Sequence, residues 1–230
     1  MEHLPIFLSV KDQFCAVIGG GEIATRKVSL LLRAGAHVQV IAPGLCPNLA
    51  KLRDEGRIEH LARPFQTGDI DEAYLAIAAT DDPTVNHAVA AAGRLLNIPV
   101  NVVDHPEDGS FIMPSIIDRS PVIAAISTGG ASPVLARLIR ARLESVIPAG
   151  YGRLAELAGQ FRERVKQAFT DPADRRRFWD RVLQGGVAER VFSGHMREAE
   201  VLMEQELGNG ALQHGMGEVY LVGGGPGDPD

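Results

Sequence analysis

Short apolar runs alternate with amphipathic stretches through the first hundred residues. Phe14-Cys15-Ala16-Val17-Ile18 is apolar at all five positions, as a strand buried on both faces would be. The following stretch, 22–33, places Ile23, Lys27, Leu30, Leu31 and Ala34 near helical spacing, and Gly35 supplies the break at its C-terminal end. His37-Val38-Gln39-Val40-Ile41 is the next strand. The alternation continues with a short helix over 48–55, strands over 57–61 and 74–79, a helix over 84–96 and a strand over 98–103 with Pro99 near its start. Helices alternating with apolar strands predict an α/β fold, a Rossmann-like parallel sheet covered on both faces.

The pattern then changes. Residues 121–126 read as a strand and Ser127-Thr128-Gly129-Gly130-Ala131-Ser132 as a polar turn. Ser132 suits an N-cap and Pro133 a first helical position, and Val134, Leu135, Leu138, Ile139, Arg142 and Leu143 continue an amphipathic helix. Further helices are predicted over 151–168, 172–183 and 195–207, and a linker over 208–217, where Gly208, Gly210, Gly215 and Gly217 interrupt the pattern. Residues 218–222 start a strand leading into a second glycine-rich turn, Gly223-Gly224-Gly225-Pro226-Gly227, read as the start of a further, truncated domain. The expected organisation is a nucleotide-binding domain over 1–113, a dimerisation region over 114–147, a helical domain over 148–215 and the beginning of another domain over 216–230.

The first glycine turn carries the most specific chemistry. Gly19, Gly20, Gly21, Glu22, Ile23 and Ala24 follow a predicted strand and open a predicted helix, the context that a dinucleotide fingerprint requires. Gly19 permits the tight turn, Gly21 lets a pyrophosphate approach the backbone, and Ala24 allows the helix to pack close to the sheet. The helix N-terminus supplies amide donors for phosphate. The second strand ends at Ile41-Ala42-Pro43-Gly44, without the acid that commonly binds the adenosine ribose in NAD enzymes. No Arg immediately replaces it, so this position does not decide between NAD and NADP, and backbone groups around Pro43 and Gly44 are left to contact the ribose. Ligands in such sheets lie beyond the strand C-termini, where Thr80, Asp81, Asp82 and Asp104 also fall.

Composition removes several function classes. Aromatic residues are only 5% of the chain, which argues against a stacking surface for single-stranded nucleic acid. No stretch reaches 18 uninterrupted apolar residues and no secretory pattern opens the chain, so neither a membrane span nor export is expected, and a cytoplasmic location is the default. Cys15 and Cys46 form neither a disulfide framework nor a zinc knuckle, and Cys15 is expected to fill core space in a strand. The net charge of −6 is segregated: residues 129–181 hold 11 Lys and Arg against 6 Asp and Glu, whereas residues 182–230 hold 2 against 8. The basic stretch suits an anionic ligand, with Arg153, Arg162, Arg164, Lys166 and Arg175, Arg176 and Arg177 as candidates; solvated helix faces would give the same imbalance.

Asp104 directly follows an apolar strand. A carboxylate there can accept a proton or coordinate a cation, and it can equally cap the turn before His105-Pro106. His105 is most simply read as a solvent-exposed turn residue, and the histidines show no recognised metal-ligand spacing with the cysteines. The turn 127–130 reads either as a capped connection or as hydroxyls and glycine amides around anionic groups.

Together these motifs resemble the N-terminal half of the siroheme synthase family, a fusion of precorrin-2 dehydrogenase, sirohydrochlorin ferrochelatase and uroporphyrinogen-III methyltransferase. The resemblance runs through His3-Leu4-Pro5-Ile6-Phe7, residues 17–27, 76–82, 101–104, 110–121, 129–138 and 175–179, and covers essentially 1–215. Its most specific part is Phe111-Ile112-Met113-Pro114-Ser115-Ile116-Ile117-Asp118-Arg119-Ser120-Pro121. Residues 220–229 resemble the opening of the methyltransferase module, so this stretch alone is not expected to methylate.

The resemblance implies NAD-dependent oxidation of precorrin-2 to sirohydrochlorin, followed by insertion of ferrous iron to give siroheme. It implies Asp104 as the shared catalytic carboxylate and transient metal contact, and Thr80 and Asp81 beside the cofactor. Asn101, Ser127, Thr128, Gly129 and Gly130 are implied as substrate-binding residues, in a homodimer whose middle region is exchanged. Thr128 stands where the family commonly has a phosphorylatable Ser, which makes it a candidate phosphorylation site, and His105 replaces a residue that is often small. Two competing functions stay in view: a non-catalytic NAD-binding regulatory module, and a dehydrogenase of small hydroxy acids needing a further proton-transfer constellation.

Overall fold

The computed structural model describes residues 2–212, so the second glycine-rich turn and the expected opening of another domain lie outside the described residues. The chain divides into two compact units. The first comprises residues 1–115 and 127–136, the second residues 116–126 and the chain from 137 onward. The expected boundaries therefore do not coincide with the compact units: residues 116–126 go with the helices, and the polar turn 127–132 goes with the first unit.

In the first unit, β1 (Phe14–Ile18), β2 (His37–Ile41), β3 (Glu59–Leu61), β4 (Leu75–Ala78) and β5 (Val100–Val102) form one parallel sheet of order β3-β2-β1-β4-β5. Val17 lies between Val40 and Ile77 in register. The uninterrupted apolar runs are explained by two cores, one on each face. Cys15, Val17, Val38, Val40 and Ile77 join Ala24, Val28 and Leu31 of α1 (Glu22–Arg33) in one. Ala16, Ile18, Ile41, Ala76, Ala78 and Val100 join Val89, Ala90 and Ala92 of α3 (Pro83–Leu96) in the other. Successive residues of one strand serve opposite faces, as the pleat requires. The short α2 (Pro47–Asp54) starts with Pro at the position where a missing N–H costs nothing.

At the start of the second unit, β6 (Ser115–Arg119), whose first residue still belongs to the first unit, and β7 (Val122–Ile126) form a two-stranded sheet. The helix α4 (Pro133–Val146) bridges the division, and α5 (Gly150–Ala168), α6 (Pro172–Gln184), α7 (Gly186–Phe192) and α8 (Met196–Leu212) follow. Leu154, Leu157, Phe161, Val165, Phe178, Val182, Val187, Val191, Ala199, Met203 and Leu207 form their core.

Three differences from the sequence pattern have physical causes. Of the linker expected over 208–217, residues 208–212 are instead the end of α8, which runs through Gly208 and Gly210 to Leu212, and 213–217 lie outside the described residues. Each glycine costs a helix about 1 kcal/mol, and burial of Ala199, Met203 and Leu207 on the same helix outweighs it. The seven residues of α7 are too few to reveal a period, and β6 is legible only as the partner of β7. Strands β3 and β5 are shorter than expected, and Pro99 precedes β5 rather than lying inside it.

Candidate active site

Strand order reverses between β1 and β4, the place where parallel sheets of this kind open a crevice at their C-terminal edge. A cleft of about 570 Å³ occupies it. Its lining includes Gly19, Gly20, Gly21, Glu22 and Ile23 from the first turn, Pro43 and Gly44 after β2, and Thr80 and Asp81 after β4. Ala24 is fully buried beneath it, against the sheet. Pro64, Phe65, Asp82 and Val85 complete the wall.

The three glycines act differently. Gly19, at φ +126°, is pressed so closely on β4 that a Cβ would collide with the Ala79 carbonyl oxygen. Gly20 would collide with the Gly44 carbonyl, and its own carbonyl accepts from Cys46 N at 2.7 Å, locking the first turn to the loop after β2. At Gly21 a Cβ would meet nothing within 4 Å, so this glycine borders open cleft. Gly21 is also the N-cap of α1, and no side chain caps that helix, which leaves its first-turn amides to a ligand. These features fit a dinucleotide pyrophosphate. Sequence spacing identifies Gly19 and Gly21; the service of Gly20 depends on the loop after β2, 24 residues downstream.

The β4–α3 corner is braced by a residue that sequence reading missed. Thr80 Oγ1 donates to Asn86 Oδ1 at 2.9 Å, and Asn86 Nδ2 donates to the Thr80 carbonyl at 3.0 Å. Asn86 is 5% exposed. Asp82 accepts from the backbone N–H of Thr84 at 2.8 Å and caps α3. The only available signal for Asn86 was an amide placed among apolar positions of a helix.

Asp104 lies two residues beyond the end of β5, in the left-handed region at φ +63°, a conformation that Asp tolerates better than most residues. It is exposed, and its carboxylate has no hydrogen-bond partner among the described residues, so the capping alternative is not realised here. Its charge acts on Lys27, half-buried on α1. Burial, the larger effect, holds the Lys27 ammonium below the usual lysine range, and the Asp104 charge opposes that shift. The pair thus joins the glycine-loop helix electrostatically to the end of β5.

The remaining expected substrate residues fall into two groups. Asn101 lies inside β5 at 5% exposure, where Nδ2 donates to the Phe111 carbonyl at 3.0 Å. Through Nδ2 it anchors the Phe111 segment, while its Oδ1 is buried without a hydrogen-bond partner among the described residues. The turn 127–132 belongs to the same unit as Asp104, and a Cβ on Gly130 would lie 3.7 Å from Pro106 Cγ, two residues beyond Asp104. Gly129 and Gly130 both have positive φ, at +61° and +87°. Ser127 Oγ accepts from Gly129 N at 3.0 Å. Thr128 Oγ1 donates to the Ser132 carbonyl at 3.1 Å and accepts from Ser132 N at 3.2 Å, so its hydroxyl is committed to the turn.

The basic side chains of the helical unit divide. Arg162, Lys166 and Arg175 share a cavity of about 350 Å³ with Glu163 and Trp179. Arg164 is paired with Glu204 through two bonds of 2.5 and 2.6 Å, Arg177 with Asp174, and Arg153 donates to the Val191 carbonyl at 3.4 Å. The seven candidates therefore do not line one cleft.

Three family models match in succession: a putative NAD(P)-binding model over residues 6–115, a sirohaem biosynthesis central region over 125–145 and a sirohaem synthase dimerisation region over 150–207. The last covers the residues read from sequence as the helical domain. Siroheme synthase of Nitrosospira multiformis is 56% identical over 234 residues, and that of Methylobacillus flagellatus 58% over 231. Each match covers 100% of this chain and 50% or 49% of the relative, so the chain spans about half the length of these relatives. Among solved structures, SirC, a precorrin-2 dehydrogenase, has the same fold, with TM-score 0.68 at 23% identity over 88% of this chain and 100% of that one. Among the described residues, no helix is long and apolar enough to cross a membrane.

Proposed function

Because the chain carries the N-terminal siroheme synthase module, we propose that it oxidises precorrin-2 to sirohydrochlorin with NAD and then inserts ferrous iron to form siroheme. The observation that carries the reading is Asp104: an exposed carboxylate without a hydrogen-bond partner, on the sheet edge that holds the dinucleotide cleft. NAD, when bound, supplies the hydride acceptor. Oxidation removes a hydride and a proton from the macrocycle, and Asp104 takes the proton. In chelation, ferrous iron displaces two pyrrolic protons, and the same carboxylate can receive them one at a time, passing each to water, and touch the entering ion without a permanent metal cage. Lys27 positions Asp104 by its opposing charge. Gly19 and Gly20 fix the cofactor turn, and the Thr80–Asn86 brace fixes the corner facing it.

The cleft favours NAD over NADP. Its charged lining residues are Glu22, Asp81 and Asp82, with no Lys or Arg among the lining residues to neutralise a 2′-phosphate. The carboxylate-rich macrocycle suits the turn 127–130, which belongs to the same unit as Asp104. A homodimer is the expected assembly, since α4 exposes Val134, Leu135 and Leu138 at 55, 48 and 57%. Purified protein given NAD and precorrin-2 should form NADH and sirohydrochlorin in equal amounts, and siroheme once ferrous iron is added. An intact, NAD-binding dimer that performs neither conversion would overturn the assignment.

A further inference from the structure

Immediately after Asp104 the chain gathers a second set of groups. His105, Glu107 and Asp108 each present a ligand atom, and these atoms all lie within 4.8 Å of one another. Opposed ligands of a first-row divalent ion, at about 2.1 Å each, stand about 4.2 Å apart, so adjustment by a few tenths of an ångström would bring the three onto one ion. His105 Nδ1 is 3.2 Å from Glu107 Oε1.

A fourth group arrives from a different element. His87, on α3, has Nε2 at 3.3 Å from Asp108 Oδ2, while its Nδ1 lies 2.7 Å from the Pro83 carbonyl oxygen. The carbonyl can only accept, so Nδ1 carries the hydrogen of that contact. In the neutral imidazole Nε2 then presents a lone pair to a carboxylate oxygen, and a positive charge satisfies this contact, whether the second N–H of an imidazolium or a cation bound beside the two groups. A ring nitrogen committed to a backbone carbonyl is also how metal-binding histidines are commonly oriented.

We propose that His105, Glu107 and Asp108, with His87 on the far side of Asp108, form a divalent-cation site that receives ferrous iron beside Asp104 before it enters the macrocycle. Mixed imidazole and carboxylate donors suit iron(II) and cobalt(II), and the exposure of His105 and Glu107 leaves positions open for water and for exchange. An exposed, incomplete shell of this kind holds an ion loosely enough to give it up, as a loading site must. The role of this site as an iron donor rests on the ferrochelatase reading; the existence of the site does not.

The test uses the dimeric protein and cobalt(II) as probe, under anaerobic conditions. Wild type should bind one cobalt(II) per chain, with visible absorption bands of nitrogen and oxygen ligation. The double variant His105→Ala/Asp108→Ala should bind it about tenfold to a hundredfold more weakly, and His87→Ala should also weaken it, with NAD affinity unchanged in each. In turnover, the double variant should oxidise precorrin-2 at the wild-type rate but require about tenfold more ferrous iron for half-maximal chelation, with kcat retained. Cobalt(II) binding of equal strength in wild type and double variant, or none in wild type, overturns the site. A variant that loses cobalt(II) yet keeps the wild-type KM for iron overturns the loading role. Failure of both turnover reactions, with cobalt(II) still bound, would instead count against the ferrochelatase reading.

Discussion

Thr80 and Asn86 exchange two hydrogen bonds, at 2.9 and 3.0 Å, across the corner that leads from β4 into α3. Thr80 lines the dinucleotide cleft and Asn86 is buried behind it, so a helical side chain sets the shape of a cofactor loop. Removing Asn86 would take a donor from the Thr80 carbonyl, at a cost of about 1–3 kcal/mol, while the Thr80 hydroxyl keeps its contacts with the Asp82 backbone. Asn86→Ala should therefore weaken NAD binding about tenfold or more and lower the melting temperature, both measurable by calorimetry. An unchanged NAD affinity would confine this pair to fold stability.

Lys27 and Asp104 should separate chemistry from folding. Asp104→Ala should abolish or strongly reduce both tetrapyrrole reactions while leaving NAD affinity within about twofold, since the carboxylate is outside the residues lining the cleft. Lys27 is a half-buried cation held below its ordinary value mainly by burial. Between that lowered value and about 10.5 the unfolded chain binds more protons than the folded one, so this group adds stability as pH rises through the window. At neutral pH its charge is a burden on the fold. Lys27→Met should leave the melting temperature unchanged or raise it, yet slow turnover. A variant that loses stability and keeps full activity would show that Lys27 serves packing.

Much of this site was legible because its signals are local. The strands β1 and β2, the helix α1 and the spacing of Gly19, Gly21 and Ala24 follow from short apolar runs and one turn, with no need for distant partners. Asn86, the contact of Gly20 with Gly44, and the approach of Gly130 to Pro106 are pairings across loops, which linear spacing does not encode. The same holds for α8. Gly208 and Gly210 read locally as a break, and only the packing of Met203 and Leu207 against the other helices explains why the helix continues. Exposure of Asp104 was likewise invisible in sequence, where a cap and a catalytic carboxylate look alike.

The charge of the cleft bears on cofactor choice. With Glu22, Asp81 and Asp82 as its charged lining residues, a 2′-phosphate gains no countercharge there. NADP should bind at least about tenfold more weakly than NAD, a difference of about 1.4 kcal/mol, and the gap should narrow as salt screens the carboxylates. Equal affinities at low salt would mean that the 2′ position lies outside this cleft.

The apolar face of α4 should be covered in solution. Among the residues of that helix only Ala136 is buried, whereas Val134, Leu135 and Leu138 are each about half exposed. Three neighbouring aliphatic side chains at helical spacing form a surface that a second copy can bury. Leu138→Glu should convert a dimer to monomer in light scattering at micromolar concentration, without loss of NAD binding by the first unit. A variant that stays dimeric would place the contact elsewhere.

Cys15 gives the fold a specific sensitivity to alkali. It sits in the middle of the sheet with no exposed surface, and burial pushes its thiol from 9.0 up to about 11, opposed in part by a backbone hydrogen bond from Leu75. Because the folded state keeps this proton longer than the unfolded chain, the contribution is fully present below pH 9 and is lost as pH rises toward 11. A two-unit shift corresponds to about 2–3 kcal/mol. Cys15→Ala removes the titration while conserving most of the packing. Denaturant midpoints should therefore fall less steeply for the variant than for wild type between pH 9 and 11, with Lys27 contributing equally to both proteins. The same burial should leave Cys46 as the only thiol that reacts before unfolding, and parallel slopes together with two reactive native thiols would contradict it.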